Sequence, residues 1–520
     1  MANLQLFNAL TASLPQTNTL NRSNAAAYAY KPEHKLAQLV MTGCLNQTFY
    51  AQAELQLADV LTLCAGLDAR FIAQAAIYGR QRGHMKDMPA LLLAVLSRKD
   101  AALFAQVFDQ VIDNGKMLRN FVQIMRSGAT GRKSLGSRPK KAVQAWLNRA
   151  TEAQLLSASI GSAPSLADVI KMVHPKPQEA WREAFFAWVL GQSCNRAALP
   201  PLTQQLLAFR ADTALEMPNV PFQLLTSSAL NSAQWGRLAE RMGWQALRMN
   251  LNTLARQGVF VQPGMIDMVA ARLADPELVA AARVYPYQLL AAWRMTGGEI
   301  PAQIKNALQD ALEIALRNVP ALQGHVVVCP DVSGSMSSPV TGWRPGATTA
   351  VRCIDVAALM AAAVLRQCPQ ARVLPFETKV VQVRLNARDS VLTNAEKLAA
   401  IGGGGTRCSA PLAQLVKEKA VVDTVILVSD NESWIDARRH GATETLQQWQ
   451  QIKHRNPQAR LICIDMQPYG TTQAQESPDI LNVGGFGDAV FDVVAQFAAG
   501  SFGAGHWVNA IKRTRLAGDA

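Results

Sequence analysis

Apolar positions in residues 1–320 recur every three or four residues, the spacing of one helical face. LADVLTLCAGL (57–67), PALLLAVLSRK (89–99), ALFAQVFDQVID (102–113) and WGRLAERMGWQALRMNLNTLAR (235–256) show it best. Short Gly, Pro or polar stretches separate such segments, and alternating β-branched runs are nearly absent. Medium-length helices with short connections predict a HEAT-like α-solenoid rather than one compact bundle, although no clean repeat period is visible.

The pattern changes near residue 320, where NVPALQG (318–324) reads as a boundary. HVVVCPDVSGSM (325–336) is then a short apolar strand running into a Ser/Gly loop, and CIDVAALMAAAVLRQC (353–368) is a helix. ARVLPFET (371–378), KVVQVRL (379–385), DTVILVSDN (423–431) and ARLICIDM (459–466) read as strands, and FGDAVFDVVAQFAAG (486–500) as a closing helix. Buried strands alternating with helices predict a doubly wound parallel sheet. The expected class is therefore α plus α/β: a helical domain over 1–320, a sheet domain over 321–505, and a tail over 506–520 that can return to the helical domain.

Length and composition sharpen this. A chain of 520 residues is too long for one hydrophobic core, and 49% apolar with 17% charged residues is an ordinary soluble composition. No run of 18 uncharged apolar residues occurs, and no basic segment precedes an apolar one at the start. This predicts no membrane partner and a cytoplasmic location. The eight cysteines stand singly with no CxxC pair, which argues against zinc. Cys329 and Cys463 lie in apolar runs and read as buried thiols. The net charge of +13 is uneven: residues 1–320 hold 32 Lys/Arg against 21 Asp/Glu, and residues 321–520 hold 19 against 17. A basic half beside a near-neutral one points to a polyanionic partner for the helical part.

Three features of the sheet domain converge on a metal. Asp331-Val-Ser-Gly-Ser335 follows the first strand, Gly402-Gly-Gly-Gly-Thr406 forms a glycine-rich loop, and Ser429-Asp430 ends a buried strand. The carboxyl ends of strands form the ligand crevice of a doubly wound sheet, so all three can meet there. Asp331, Ser333, Ser335, Thr406 and Asp430 make an all-oxygen set suited to Mg²⁺ or another hard divalent cation. The bland alternative is an empty Ser-capped turn. The loop is no phosphate-binding Walker motif, because Arg407 follows Thr406 in place of Lys-Ser/Thr. DVSGS is no GxSxG nucleophile elbow either.

In the helical part, residues 116–149 carry Lys116, Arg119, Arg126, Arg132, Lys133, Arg138, Lys140, Lys141 and Arg149 and no acid. Gly128, Gly131, Gly136 and Pro139 make the middle of this run loop-like before a helix beginning near Lys140. Hydroxyls, cations and a flexible backbone suit phosphate contacts, whereas a merely solvated face usually alternates its signs. Lys171, His174 and Lys176 form a second basic group near a helix end. The bland reading of His174 is an exposed or structural histidine. Tyr28, Tyr30, Phe49 and Tyr50 could stack bases, but core packing is the simpler reading for them.

The order of a basic helical domain before a metal-site α/β domain is unusual. With AAAYAYKPEHKLAQLVMTGCLNQTFY (25–50), GATGRKSLGSRPKKAVQAWL (128–147), SLADVIKMVHPKP (165–177) and PDVSGSM (330–336), it resembles the Ro autoantigen family. That family joins a helical TROVE module to a von Willebrand factor A (vWA) domain with a metal-ion-dependent adhesion site. The family metal pattern DxSxS, Thr, Asp is present in order at Asp331, Ser333, Ser335, Thr406 and Asp430. The resemblance implies a monomeric, non-enzymatic RNA-binding protein whose helices form a ring closed by the vWA domain. It implies Y RNAs on a basic outer surface and single-stranded ends of defective RNAs in a central hole. It also implies, as in bacterial members, tethering to an exoribonuclease through RNA. His174 falls where the family places a Y-RNA-contacting histidine. The stretch before it, LLSASIGSAPS (155–165), lacks the family's Lys and Arg, so the weight shifts to Arg132, Lys133, Arg138, Lys140 and Lys141.

Two other function classes compete. A metal-dependent protein-interaction scaffold would recruit an acidic partner side chain to the ion. A metal-assisted hydrolase would need a paired general acid and base, and no such pair is visible.

Overall fold

The computed structural model describes residues 14–519 apart from 43–44, 49, 283, 285, 317–318, 320, 344–350, 436–440, 468, 486–487 and 501–505. Phe49 thus lies outside the described residues, as do Asn318 and Pro320 of the expected boundary. The chain forms two compact units that do not follow the 1–320 and 321–505 segments. The sheet unit takes described residues of 1–63, 273–296 and 305–512; the helical unit takes 64–272, 297–304 and 513–520.

In the sheet unit, β1 (Thr19–Leu20) and β2 (Ala26–Ala29) form a hairpin, followed by β3 (Val326–Pro330), β4 (Arg372–Val373), β5 (Thr424–Ser429), β6 (Arg460–Asp465), β7 (Thr471–Thr472) and β8 (Ile480–Gly484). The parallel sheet runs β4-β3-β5-β6-β8, while β2 pairs antiparallel with β1 and β7. β3, β5 and β8 are buried along their whole length, which is why β3 and β5 read as unbroken apolar runs. On one side of the sheet Cys329, Phe376, Leu427, Trp449, Leu461 and Cys463 share a core. Cys329 and Cys463 are buried free thiols.

The sequence reading departs from the structure in several places. KVVQVRL (379–385) forms no strand: Val380 makes a single antiparallel bridge back to Phe376. The preceding strand is cut to Arg372–Val373, although Leu374 and Phe376 still donate to Val328 and Pro330 at 2.9 and 3.1 Å; Pro375 is tolerated because on this edge strand its missing N–H would face away from β3. β8 was not expected, since Asn482 and Gly484 weaken its apolar pattern. Asn482 is buried in it, accepting from the Thr472 hydroxyl at 2.7 Å and donating to the Ala474 carbonyl at 3.0 Å. The periodic run 235–256 is three helices, Ser232–Arg241, Trp244–Met249 and Leu251–Arg256, broken at Gly243 and Asn250.

The largest departure is the N-terminal segment, which belongs to the sheet unit. Tyr28 of β2 is in register with Thr472 of β7. Helix Pro32–Thr42 carries His34, buried and bonded through Nδ1 to Glu476 at 2.7 Å and through Nε2 to the Asn482 carbonyl at 3.1 Å. The Tyr28 and Tyr30 side chains are buried here, as core packing predicts. The tail divides: helix His506–Lys512 stays with the sheet unit, where Lys512 pairs with Glu33 at 2.7 Å. Residues 513–519 join the helical unit, with Asp519 paired to Arg70 at 2.6 Å and the Ala517 N–H on Gln110 Oε1 at 2.8 Å.

In the helical unit, helices Ala69–Gln81, Ala101–Val111 and Gly115–Arg126 all pack against Asp87–Lys99. Phe104, Phe108 and Phe121 form a buried ring cluster with centroids 5.5–5.9 Å apart. Asp100 caps one helix start by accepting from Ala102 and Leu103, and Thr151 and Ser165 build capping boxes further on. Phe121→Ala is expected to destabilise the helical unit by about 3–5 kcal/mol, the cost of a large aromatic cavity. Denaturant unfolding monitored by circular dichroism measures it.

Candidate metal centre and basic face

Parallel pairing of β3 with β5 sets Pro330 opposite Val428, so Asp331 and Ser429-Asp430 emerge together at the carboxyl edge of the sheet. The Asp331 N–H continues the ladder onto the Val428 carbonyl at 2.9 Å. The glycine-rich loop lies directly against the DVSGS turn: Gly403 donates to the Val332 carbonyl at 3.0 Å, and Gly334 to that of Gly404 at 3.1 Å. Gly404 has φ 73°, and a Cβ there would fall 1.5 Å from Glu377 Oε2. Only glycine allows this pass, which delivers Thr406 to the site.

The three hydroxyls meet. Thr406 Oγ1 donates to Ser333 Oγ at 3.0 Å, and Ser333 Oγ lies 3.3 Å from Ser335 Oγ. An octahedral Mg²⁺ with bonds of about 2.1 Å sets neighbouring ligand oxygens ~3.0 Å apart, so the hydroxyls are spaced like an edge of such a shell. Asp331 braces them from behind: its Oδ1 accepts the Ser333 N–H at 2.8 Å, and its Oδ2 the Ser429 hydroxyl at 2.6 Å. Asp430 accepts the Glu432 N–H at 3.2 Å and the Ser335 hydroxyl.

Two acids outside the predicted five complete the cluster. Asp465 ends β6 in register with Ser429, accepting from the Tyr30 hydroxyl at 2.7 Å and from Asn431 Nδ2. Glu432 is fully buried; its Oε2 accepts the Ser23 N–H at 3.2 Å and its Oε1 has no hydrogen-bond partner. Among the described residues no Lys or Arg forms an ion pair with any of these four carboxyl groups. Burial raises Asp331 and Asp430 above the carboxylate range, and the Asp430 charge adds to the rise at Asp331. Burial first and the Asp430 charge second push Glu432 up to about 8; burial does the same to Asp465, also to about 8. Among the described residues no three His, Cys, Asp or Glu side chains gather in a metal-binding group. The donors available at one point are therefore hydroxyls backed by carboxylates. Buried oxygens without an ion-pair partner, one of them without a hydrogen bond, fit a hard divalent cation; the nearest cationic influence is Arg22 on Glu432.

On the helical unit, helix Ser137–Arg149 holds the second predicted site. Its Gln144 donates to the His174 carbonyl at 3.2 Å, and Asn148 to that of Lys176 at 3.4 Å. Lys140, Gln144 and Asn148 are spaced four residues apart, so Lys140 lies on the face that meets this turn. The structure thus joins the two basic segments into one face. His174 caps helix Leu166–Val173 in the left-handed region at φ 49°, with an exposed side chain. Lys133, Arg138, Lys141, Lys171 and Lys176 are exposed, and Arg132 and Lys140 half-buried. Among the described residues Arg132, Lys133, Arg138, Lys140, Lys141 and Lys176 form no ion pair. Arg126 and Lys171 instead share the field of Asp168, whose carboxyl is lowered chiefly by its bonds to Ser165. Arg119 and Arg149 of the basic run are structural: Arg119 is buried on the carbonyls of Pro164 and Ile160, and Arg149 pairs with Asp109.

Residues 325–498 match the family model of the Ro60 vWA domain, and residues 210–307 that of the TROVE domain. Both parts of the chain thus match domains of the Ro family. The RNA-binding protein RO60 of Deinococcus radiodurans is 26% identical over 535 residues, spanning 94% of this chain and 97% of that protein. The protein of the same name in Caenorhabditis elegans is 25% identical over 289 residues, or 53% of this chain and 43% of its own. In fold, the chain resembles the crystal structure of the Deinococcus radiodurans RO (RSR) protein, with TM-score 0.63 and 22% identity over 91% of this chain and all of that one. The Ro vWA match spans all five predicted metal positions, while the basic face at 126–176 precedes the TROVE match.

Sequence reading missed Glu432 and Asp465, although both lie at strand ends that it places: Asp465 is the last but one residue of ARLICIDM, and Glu432 is two residues past Asp430. Mg²⁺ is expected to raise the unfolding midpoint of the chain, by ~2.7 kcal/mol of stability at about 100 times its dissociation constant. Asp331→Ala should abolish the shift, as thermal scans with Mg²⁺ and with a chelator would read.

Proposed function

We propose that this chain is a non-catalytic RNA-binding protein that grips RNA phosphates on the basic face of its helical unit. The observation that carries this reading is the merging of Arg132, Lys133, Arg138, Lys140 and Lys141 with His174 and Lys176 into a face short of acids. Gly136 provides no side-chain cap for helix Ser137–Arg149, so its first N–H groups add to the pull on an anion. The kinship to proteins named RNA-binding protein RO60 supports the same partner.

From the family resemblance we further propose Y-like small noncoding RNAs as the ligand of this face, and single-stranded ends of defective structured RNAs in a central hole. The protein would then act in cytoplasmic RNA quality control, with an exoribonuclease as an RNA-tethered partner. The metal centre would hold Mg²⁺ on Ser333, Ser335 and Thr406, with Asp331 and Asp430 orienting the hydroxyls. The ion supplies a docking charge and lowers the cost of the buried carboxyls. A second reading, metal-dependent docking of an acidic protein ligand, is favoured by one feature of this site. Trp434 and Ile435 are 48% and 37% exposed, and their N–H groups bond the Thr406 carbonyl at 3.2 and 3.4 Å, giving the site an apolar lip.

Phosphate contacts release counterions, so affinity should fall steeply with salt. Lys140→Glu with Lys141→Glu should weaken binding to most RNA sequences alike and flatten the salt slope by about 2. Filter binding across a salt series tests this, and unchanged affinity would reject the face. Loss of a protein partner in Asp331→Ala, with RNA binding intact, would favour the docking role for the sheet unit.

A further inference from the structure

We propose that Glu432 is a sixth protein group of the metal centre and couples the ion to the β1–β2 hairpin. The proposal rests on the metal reading above. Two oxygens of one carboxylate face different tasks. Oε2 accepts the Ser23 N–H at 3.2 Å, in the turn of the hairpin. The next residue repeats the link, because Asn21 Nδ2 donates to the Ser433 carbonyl at 2.8 Å. Asn21 Oδ1 in turn holds the N–H groups of Ser23 and Ala25 at 3.0 and 2.9 Å, so the hairpin turn is organised around this contact.

Oε1 has no such partner, although the residue is fully buried. A buried, unbonded carboxylate oxygen carries a large desolvation cost. Glu432 lies two residues beyond Asp430, reached through Asn431 in the left-handed region at φ 61°, a conformation asparagine tolerates. That backbone turn holds Glu432 beside Asp430, which accepts the Glu432 N–H at 3.2 Å. Oε1 therefore joins the shell of the ion, directly or through a water bound to it. Asp465, the other acid of the cluster, differs in having both oxygens bonded, to Tyr30 and Asn431. With the ion present, Glu432 is pulled from both sides, and the hairpin turn is tightened onto the site.

The test uses the full chain, Mg²⁺ as the titrant and two variants. In Glu432→Gln, the amide oxygen must stay on the Ser23 N–H, which turns the NH₂ group toward the cation. Calorimetric titration should then show Mg²⁺ affinity reduced at least about tenfold, against about threefold or less for Asp465→Asn, which removes a charge at similar burial. Amide exchange read by mass spectrometry should slow in the hairpin on Mg²⁺ addition to the wild type and not in Glu432→Gln. Equal affinity in Glu432→Gln and the wild type would overturn the proposal while leaving the metal centre intact. So would an equal loss in the two variants, or a hairpin indifferent to Mg²⁺. A wild type that binds no Mg²⁺ at millimolar concentration would overturn both the metal reading and this one.

Discussion

Asp331 is a fully buried carboxylate at the end of a parallel strand, and such a group needs either hydrogen-bond donors or a cation. Much of the sheet unit's carboxyl edge is arranged around that requirement. The Ser429 hydroxyl and the Ser333 N–H occupy its two oxygens, which fixes the turn carrying Ser333 and Ser335. The glycine-rich loop then has one course, threaded by Gly403 and Gly404 bonds to that turn, and it ends by placing Thr406 on Ser333. Neutral hydroxyls at the front and carboxylates behind would leave a hard divalent cation held there with few direct negative ligands and open to an outside oxygen.

The basic face follows a different rule. It concentrates positive charge by keeping acids away and by spending two of its nine cations, Arg119 and Arg149, on structure. Its cohesion comes from neutral amides: Gln144 and Asn148 hold the turn at 174–176 without using a charge. Cations left without acidic partners repel each other and cost stability, which a polyanion repays by releasing its counterions. His174 adds a left-handed backbone at a helix end, where Gly or Asn is usual, and both it and Lys176 are exposed.

Much of this was legible in the sequence. Three- and four-residue periodicity marked the helices, and apolar runs marked β3, β5 and β6, because both signals lie within single short segments. That Asp331, Ser333, Ser335, Thr406 and Asp430 meet was legible for a related reason: each sits in a local motif at a strand end or in a loop, and parallel sheets gather such ends on one edge. KVVQVRL shows the limit. Its alternation satisfies the pattern of a strand, but a strand exists only beside a neighbour, and past Val380 none is available.

By itself, then, the sequence determined the helix and strand types, the parallel class of the sheet, the hydroxyl–carboxylate motif and the acid-free basic run. These follow from side-chain period and from residue chemistry over a few positions. Tertiary structure alone decided that residues 14–63 join the sheet unit and that residues 513–519 join the helical one. It also brought Glu432 against Ser23 and Asp465 against Tyr30, and joined helix Ser137–Arg149 to the turn bearing His174. The first two of these contacts link residues more than 400 positions apart, and the third spans 30. Nothing in the local pattern specifies such pairs; they form because burying an apolar face forces nearby polar groups to find whichever partner the fold brings within reach.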